Sequence, residues 1–173
     1  MADILSLHDG VERVVHDGDC VAMEGFTHLI PHAAAHEIIR QGQKDLTLVR
    51  LTPDLIFDQL IGMGRARRLV FSWGGNPGVG SLHRFRDAVE RGWPGPLEVE
   101  EHSHAGLTAR YVAGASGLPF GVLRGYAATG LAGVPRRCRR SPAPSPASSY
   151  PPLPLSAPMS PSSTPSRPTG PAP

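Results

Sequence analysis

The sequence predicts a three-layer α/β fold, in which helices cover a parallel sheet, followed by a tail without fixed structure. Between residues 4 and 123, short apolar runs of strand length alternate with segments whose apolar residues recur at helical spacing. From Ala132 onward this periodicity is absent, and thirteen of the nineteen prolines of the 173-residue chain lie there. We therefore divide the chain into an N-terminal domain at 1–131 and a disordered Pro/Ser/Arg-rich tail at 132–173.

The first half of the domain is predicted to run helix, strand, helix, strand. Apolar residues at helical spacing indicate a helix over 4–15, and the apolar run 20–23 that follows indicates a buried strand. Helical periodicity returns over 32–41 with Gly42 as its stop, and 46–51 is rich in residues that favour strands. Strands that alternate with helices in this way are typically parallel.

The second half of the domain continues the alternation. The Thr52 hydroxyl is expected to cap a helix whose first turn Pro53 fixes. The remaining elements are, in chain order, a strand at 68–73, a helix at 82–91, a strand at 96–101, a helix at 105–114 and a strand at 120–123. Ser103 is expected to cap the last of these helices.

Charge is divided unevenly along the sequence. The domain has twelve basic residues against fifteen acidic ones, a net charge of −3, whereas the tail has five arginines and no acid. The pI near 8.8 is therefore a property of the tail. The arginines at 136–140 have no interleaved aromatic residues for base stacking, so we expect no nucleic-acid partner. No apolar run approaches the ~20 residues of a membrane span, and no export leader is recognisable, so we expect a cytoplasmic protein without a membrane partner.

Two loops that contain glycine are the strongest candidates for a binding site. They follow the first and third predicted strands, at 24–31 and 72–80, and parallel sheets bind ligands at the carboxyl ends of their strands. Glycine lets backbone amides approach a phosphate, a pantetheine chain or an oxyanion. The alternative is that these glycines only form tight turns. The candidate substrate-binding residues are Gly25, Phe26, Thr27, His28, Gly74, Gly75 and Asn76.

Acid–base chemistry has two candidates after the fourth predicted strand, Glu101 and His104. Either can serve as a general base if its surroundings tune its pKa, and the alternative is a polar loop that opens a helix. His28, His32 and His36 are four residues apart, but Pro31 places His28 in a loop, so we expect no metal site. Walker and dinucleotide fingerprints are both absent from the sequence.

Several segments of the domain match a known family when they are taken together. They are Asp17-Gly18-Asp19, Gly25-Phe26, Ile30-Pro31, the run from Gly42 to Val49, the run from Thr52 to Leu55, the run from Trp73 to Ser81, and Gly117 to Phe120. In this combination the sequence resembles the first subunit of class I coenzyme A transferases, in the branch similar to the first subunit of glutaconate CoA-transferase. The resemblance covers about the first 131 residues.

The resemblance implies CoA transfer by a heteromeric enzyme. In the family, the second subunit supplies a glutamate that attacks an acyl-CoA, forms an enzyme glutamyl-CoA thioester through an anhydride, and passes CoA to a carboxylic acid. The implied partner is therefore the second subunit of the CoA-transferase, and the CoA thioester is a substrate while no cofactor is bound. Gly25 and Phe26 would shape the oxyanion side of the shared site, with Gly74, Gly75 and Asn76 near it. The nucleophile is not assigned to this protein chain.

Departures from the family pattern leave alternatives open. Glu24 stands where many relatives have a glycine, and His104 stands where a related branch of CoA-linked ring-opening hydrolases has an acid. That hydrolase is the enzymatic alternative. The non-enzymatic alternatives are an inactive remnant and a small CoA- or nucleotide-binding module. Family subunits continue well past Leu131, so we expect an incomplete domain that is inactive alone. A one-base insertion near Thr129 would account for the composition of the tail.

Overall fold

The computed structural model describes residues 3–26, 28–76, 80–123 and 125–126, together with the backbone of Pro152–Pro154. Helices and strands alternate from α1 to β5, close to the predicted bounds. In chain order the elements are α1 (Leu7–Val14), β1 (Cys20–Ala22), α2 (His32–Gln41), β2 (Leu46–Val49), α3 (Leu55–Gly62), β3 (Ala66–Phe71), α4 (His83–Arg91), β4 (Glu98–Glu101), α5 (His104–Ala115), β5 (Phe120–Val122) and β6 (Pro152–Pro154).

Four strands form one parallel sheet in the order β1-β2-β3-β4. Across this sheet Val21 pairs with Leu48, Leu48 with Leu69, and Leu69 with Val99. Because all four strands run in the same direction, their carboxyl ends meet at one edge. The loops that follow β1, β2 and β3 therefore lie side by side, and the predicted parallel sheet is confirmed.

Helices cover both faces of the sheet, as the three-layer prediction requires. On one face Leu48 and Leu69 belong to a buried cluster that includes the apolar faces of α1 to α4, and these helices pack against one another in chain order. On the other face Val49 and Val70 pack against Leu107 of α5. Adjacent residues of β2 and β3 thus enter different cores, because side chains alternate across a strand.

The N-terminal cap of α5 agrees with the prediction, whereas that of α3 differs from it. Ser103 caps α5, since its hydroxyl accepts the N–H of Gly106 at 3.0 Å, as predicted. At α3 the cap is Asp54, whose carboxylate accepts the N–H of Ile56 at 3.3 Å. The prediction that Thr52 caps this helix was wrong, because the backbone of Asp54 is still extended and the helix starts only at Leu55.

The last described strands differ from the prediction. β5 does not extend the parallel sheet but pairs antiparallel with β6 in a separate two-stranded sheet. The residues of β6, Pro152–Pro154, lie within the predicted tail. A proline-rich backbone is already extended, and proline is tolerated in an edge strand. The other residues of the predicted tail at 132–173 lie outside the described residues.

Among the helices of the described residues, none has the length and apolar character that a membrane crossing requires.

Two leucines of α3 test how much the core contributes to stability. Leu60 is fully buried, whereas Leu55 on the same helix is half exposed. We expect Leu60→Ala to lower the free energy of unfolding by about 2–5 kcal/mol, because it removes buried methylenes and leaves a cavity. Leu55→Ala should change it by less than about 0.5–1 kcal/mol. Urea denaturation of both variants measures the difference, and equal losses would contradict the described packing of α3.

Candidate active site

The loop after β1 folds back sharply at Gly25. This residue has a φ of +148°, and a Cβ at this position would lie 2.9 Å from the carbonyl oxygen of Leu29. The N–H of His28 donates to the carbonyl of Phe26 at 2.6 Å, which closes a tight turn. The turn presents the Phe26 ring, which is 57% exposed, at the carboxyl edge of the sheet. Thr27 lies outside the described residues.

Glu24 ties this loop to its neighbours. Its Oε1 accepts the N–H of Leu51 at 2.9 Å and the hydroxyl of Tyr111 at 2.7 Å. Burial and, next, the hydrogen bond to Glu24 raise the pKa of Tyr111, so its hydroxyl stays a donor. The contact joins α5, on one face of the sheet, to the loop at its edge. Within the described residues the second oxygen of Glu24 has no hydrogen-bond partner.

The loop after β3 is anchored to the end of β2 as well. The N–H groups of Ser72 and Trp73 donate to the carbonyl of Leu51 at 3.1 and 3.2 Å, and the N–H of Gly75 donates to Pro53 at 3.2 Å. The indole of Trp73 packs closely over Gly75, since a Cβ there would lie 2.5 Å from the ring. The two loops thus meet at the end of β2, as the sequence predicts.

Asn76 and Gly80 pair with each other through reciprocal backbone hydrogen bonds of 3.1 Å. Residues 77–79 of this loop lie outside the described residues. Asn76 therefore stands at the base of a turn, directly after the anchored part of the loop. Its assignment to substrate binding, like that of the other predicted site residues, stays a prediction.

Backbone donors at this edge are available to a ligand. Within the described part of the chain, the N–H groups of Gly25 and Gly74 have no hydrogen-bond acceptor, whereas Phe26 forms an antiparallel bridge with His28. Gly75 differs, because its N–H is taken by Pro53. Unpaired amides in neighbouring loops are the kind of donor that stabilises a developing oxyanion.

Arg50 is a residue of this region that the sequence interpretation missed. It is fully buried, and its guanidinium makes a two-pronged ion pair with Asp54 at 3.0 and 2.9 Å. A third hydrogen bond goes to the carbonyl of Gly25, and the guanidinium lies 5.4 Å from the Phe57 ring centre. The available signal was an arginine within an apolar strand, four residues before an acid.

The acid–base candidates Glu101 and His104 lie at the exposed surface. Neither makes a hydrogen bond or ion pair to the described residues. Their neighbours Glu100 and His102 are buried instead. Glu101 ends β4 in register with Phe71, the residue directly before the second glycine loop, but no contact holds its side chain there, and the catalytic role of Glu101 and His104 stays a prediction.

Glu100 is the centre of a buried polar network that links β3, β4 and α5. One carboxylate oxygen accepts Nε2–H of His102 at 2.7 Å and a guanidinium N–H of Arg110 at 2.6 Å, and the other oxygen pairs with Arg68. Burial opposes ionisation, but the His102 hydrogen bond and the two arginine charges outweigh it and hold the pKa of Glu100 at about 2. Tyr126 closes the network, since its hydroxyl accepts the N–H of Ser103 at 2.7 Å.

A metal-binding group is weakly indicated in the described residues. His8, Asp9 and Glu12 lie close together on α1, and all three are exposed. His8 already shares a 2.9 Å hydrogen bond with Glu37. Exposed acidic groups of this kind are common without a metal, and we assign none to this one.

Comparison with known proteins places the protein in a family. The family model described as Coenzyme A transferase matches residues 4–130. The chain belongs to the coenzyme A transferase family. The first subunit of 3-oxoadipate CoA-transferase from Pseudomonas knackmussii is 72% identical over 131 residues, which cover 76% of this chain and 46% of that protein. The first subunit of glutaconate CoA-transferase from Acidaminococcus fermentans is 34% identical over 146 residues, with 82% and 45% covered.

Solved structures agree with the assignment to coenzyme A transferases. Glutaconate coenzyme A-transferase from Acidaminococcus fermentans superposes with a TM-score of 0.80 at 30% identity, over 87% of this chain and 52% of that one. A variant of the decarboxylase AibA/AibB superposes with a TM-score of 0.77 at 27% identity, over 87% and 57%. The chain spans about half the length of the relatives that it matches. The predicted family and fold are confirmed.

Glu100 makes the stability of this coenzyme A transferase family member sensitive to acid. Its folded pKa of about 2 lies below the ordinary value of 4.5, so its stabilising effect is fully present above pH 4.5 and is lost as the pH falls toward 2. We expect Glu100→Gln to lower the free energy of unfolding on the order of 3 kcal/mol at pH 7, because Arg68 and Arg110 lose their counter-charge. The deficit should shrink below pH 4.5.

The matched control for this variant is Glu101→Gln, which changes an exposed carboxylate. It should alter the free energy of unfolding by less than about 0.5 kcal/mol at any pH. Urea denaturation of both variants at several pH values between about 3 and about 7 separates them. A Glu100→Gln deficit that stays constant across this range would contradict the assigned ionisation.

Proposed function

We propose that this chain acts as part of the first subunit of a coenzyme A transferase, which moves CoA from an acyl-CoA to a carboxylic acid. The observation that carries the proposal is the carboxyl edge of the sheet, where the amides of Gly25 and Gly74, which have no acceptor among the described residues, lie in loops anchored to Leu51. The 72% identical relative is named for 3-oxoadipate, and we propose that dicarboxylic acid as the CoA acceptor.

The proposed chemistry proceeds through a glutamate of the second subunit. Its carboxylate attacks the thioester carbonyl, which forms a mixed anhydride and releases the CoA thiolate. The thiolate then attacks the glutamyl carbonyl, which gives the glutamyl-CoA thioester and frees the donor acid. The acceptor carboxylate reverses the two steps, takes the CoA and regenerates the glutamate. Each attack places negative charge on a carbonyl oxygen, and backbone amides stabilise such an oxyanion.

The role proposed for this chain is to supply amides and a partly apolar surround to the reacting carbonyl. Phe26 and Trp73 are 57% and 47% exposed and stand in the two loops beside the unpaired amides. Apolar rings at this position would exclude water, and exclusion of water strengthens hydrogen bonds to an oxyanion. It also protects an anhydride or thioester intermediate from hydrolysis.

The described carboxylates of this chain near the edge are poorly suited to be the nucleophile. Glu24 has one oxygen engaged by two donors, and Glu101, although it ends β4 at this edge, is exposed and has no hydrogen-bond or ion-pair partner among the described residues to hold it in place. Glu100 pairs with two arginines and has a pKa of about 2, which makes it a weak nucleophile. These contacts favour a nucleophile in the second subunit. No observation favours the ring-opening hydrolase, whose chemistry would fall on the exposed His104.

A cytoplasmic location, and the absence of nucleic-acid and membrane partners, stay predictions.

The first experiment compares the isolated chain with the same chain co-expressed with the second subunit. We expect the isolated chain to show no CoA exchange between acyl-CoA donors and a panel of carboxylic acids that includes 3-oxoadipate, because its described carboxylates are either engaged by other groups or not held in place by any contact. The co-expressed complex should catalyse acyl-CoA-dependent exchange. Chromatographic separation of the acyl-CoA products measures both reactions.

Two results would overturn parts of this proposal. Exchange by the isolated chain that Glu24→Ala or Glu101→Ala abolishes would place the nucleophile in this chain. A purified complex that is inactive with every donor and acceptor would favour the non-enzymatic remnant. Binding of CoA by the isolated chain at micromolar affinity, without any exchange by the complex, would favour a binding module.

Gly25→Ala tests the amide contribution within the active complex. The new Cβ would press against the Leu29 carbonyl and strain a backbone at φ +148°, which displaces the neighbouring amides. We expect transfer to slow about 10²-fold, the usual effect of misplacing a reacting group by ~1 Å. Gly10→Ala is the matched control, since no atom lies within 4 Å of a Cβ there. Equal rates in both variants would rule out a role for this loop in the reaction.

A further inference from the structure

We propose that Tyr111 is a positioning residue for CoA transfer, which acts through Glu24 on the loop after β1. Its hydroxyl donates to Oε1 of Glu24 at 2.7 Å, although the two residues are 87 positions apart in the sequence. The restraint on the loop follows from contacts in the structure, whereas its effect on the reaction rests on the proposed function. Tyr111 itself takes part in no step of the proposed chemistry.

The ring of Tyr111 gives its hydroxyl a fixed position. The ring packs against the buried cluster of Val49, Val70 and Leu107, on the face of the sheet that α5 covers. The hydroxyl lies at the other end of the side chain, where it reaches the loop at the carboxyl edge. Tyrosine suits this task, because a rigid apolar ring carries a polar group at its tip. The donor to Glu24 is therefore placed by a packed core.

The helix that carries Tyr111 is in turn fixed across the width of the sheet. Leu107 packs on β2 and β3, and Arg110 donates to Glu100 of β4 at 2.6 Å. Tyr111, the next residue along α5, contacts the loop after β1 on the opposite side of the sheet. The helix thus reaches from β4 to the end of β1, the two outer strands. A displacement of the loop relative to the sheet must stretch or break the hydrogen bond to Tyr111.

The loop after β1 depends on contacts from outside it. β1 has three residues and, among the described strands, pairs only with β2. Gly25 follows Glu24 with a φ of +148°, and glycine has the widest choice of backbone conformations, so the chain has little stiffness of its own here. Arg50 restrains the loop from the protein interior through the carbonyl of Gly25. Tyr111 restrains it from α5 through the side chain of Glu24.

Glu24 extends the restraint to both glycine loops. One oxygen of its carboxylate accepts two donors, the Tyr111 hydroxyl at 2.7 Å and the N–H of Leu51 at 2.9 Å. The carbonyl of Leu51 accepts the N–H groups of Ser72 and Trp73, which begin the second loop. Without the Tyr111 hydroxyl, the exposed carboxylate of Glu24 can turn into water and release Leu51. The two loops would then shift relative to each other, and a displacement of ~1 Å in a reacting group slows a reaction strongly.

Stability alone gives a weak account of this hydrogen bond. Glu24 is exposed, so folding exchanges a hydrogen bond to water for one to Tyr111 with a small net gain. Tyr111→Phe removes the hydroxyl and keeps the packed ring. We therefore expect the urea midpoint of this variant to lie close to that of wild type.

Activity and loop order should respond far more than stability to Tyr111→Phe. In the complex with the second subunit, we expect kcat to fall about tenfold while KM for acyl-CoA stays within about twofold, because the displaced loops lose contacts to the transition state. In the isolated chain, hydrogen–deuterium exchange of residues 23–26 should become about tenfold faster. An unchanged kcat in a complex whose wild type is active would overturn the proposal.

A double-mutant cycle tests whether Tyr111 acts through Glu24. Glu24→Ala removes the acceptor, and its kcat should fall at least as far as that of Tyr111→Phe. We expect the double variant to match Glu24→Ala within about twofold, since the hydroxyl then has no carboxylate left to hold. Effects that multiply in the double variant would show that Tyr111 acts by another route, and they would overturn the proposal.

Tyr126→Phe is the matched control. Tyr126 is fully buried, and its hydroxyl accepts the N–H of Ser103 at 2.7 Å, at the start of α5. We expect this variant to lower the urea midpoint more than Tyr111→Phe, because a partly buried N–H loses its acceptor. It should leave kcat and the exchange of residues 23–26 within about twofold of wild type. Equal losses of kcat in the two variants would overturn the proposal, since Tyr111 would then act only through the stability of α5.

Failure of the proposed function has a different signature. A wild-type complex without any transfer would refute CoA transfer, and the exchange measurements on the isolated chain would still decide the restraint on the loop. If Tyr111→Phe leaves the exchange of residues 23–26 unchanged, the inference is wrong whether or not the complex is active.

Discussion

Hydrogen bonds to the backbone of Leu51 fix the two glycine loops in relation to each other. Its N–H donates to the carboxylate of Glu24 in the first loop. Its carbonyl accepts the N–H groups of Ser72 and Trp73 at the start of the second loop. β2 lies between β1 and β3, so the end of this strand is the natural meeting point of both loops. Two flexible segments thereby share a single anchor, which a buried strand holds rigid.

The sequence predicted the fold well because the spacing of the apolar residues that become buried is visible within each short element. The apolar runs of β2 and β3 and the helical spacing of α2 are visible within ten residues, and the resulting elements differ from prediction by only a few residues at each end. The cap of α3 was mistaken because Thr52 and Asp54 are both good capping residues. Only the three-dimensional course of the backbone decides between them.

The site was less predictable, because its contacts are distant in sequence. In the run 97–101 the apolar residues Leu97 and Val99 suggest that Glu100 faces solvent. The structure buries Glu100 between Arg68 and Arg110, which are 32 and 10 residues away. A charged side chain is buried only where the fold supplies side chains of opposite charge or hydrogen-bond partners. No local sequence pattern indicates that such partners will be close in space.

Backbone chemistry explains why a long resemblance was more informative here than any single motif. An amide donor has no side chain that a sequence pattern can identify, and its direction depends on where the preceding carbonyl points. The carbonyl of Gly25 accepts a hydrogen bond from the guanidinium of Arg50, which lies 25 residues later in the sequence and is held by the carboxylate of Asp54. A short motif records the glycine but not the partner that orients it. The match to the family model extends over residues 4–130 and does not depend on one loop, which is why it identified the family when the loop alone did not.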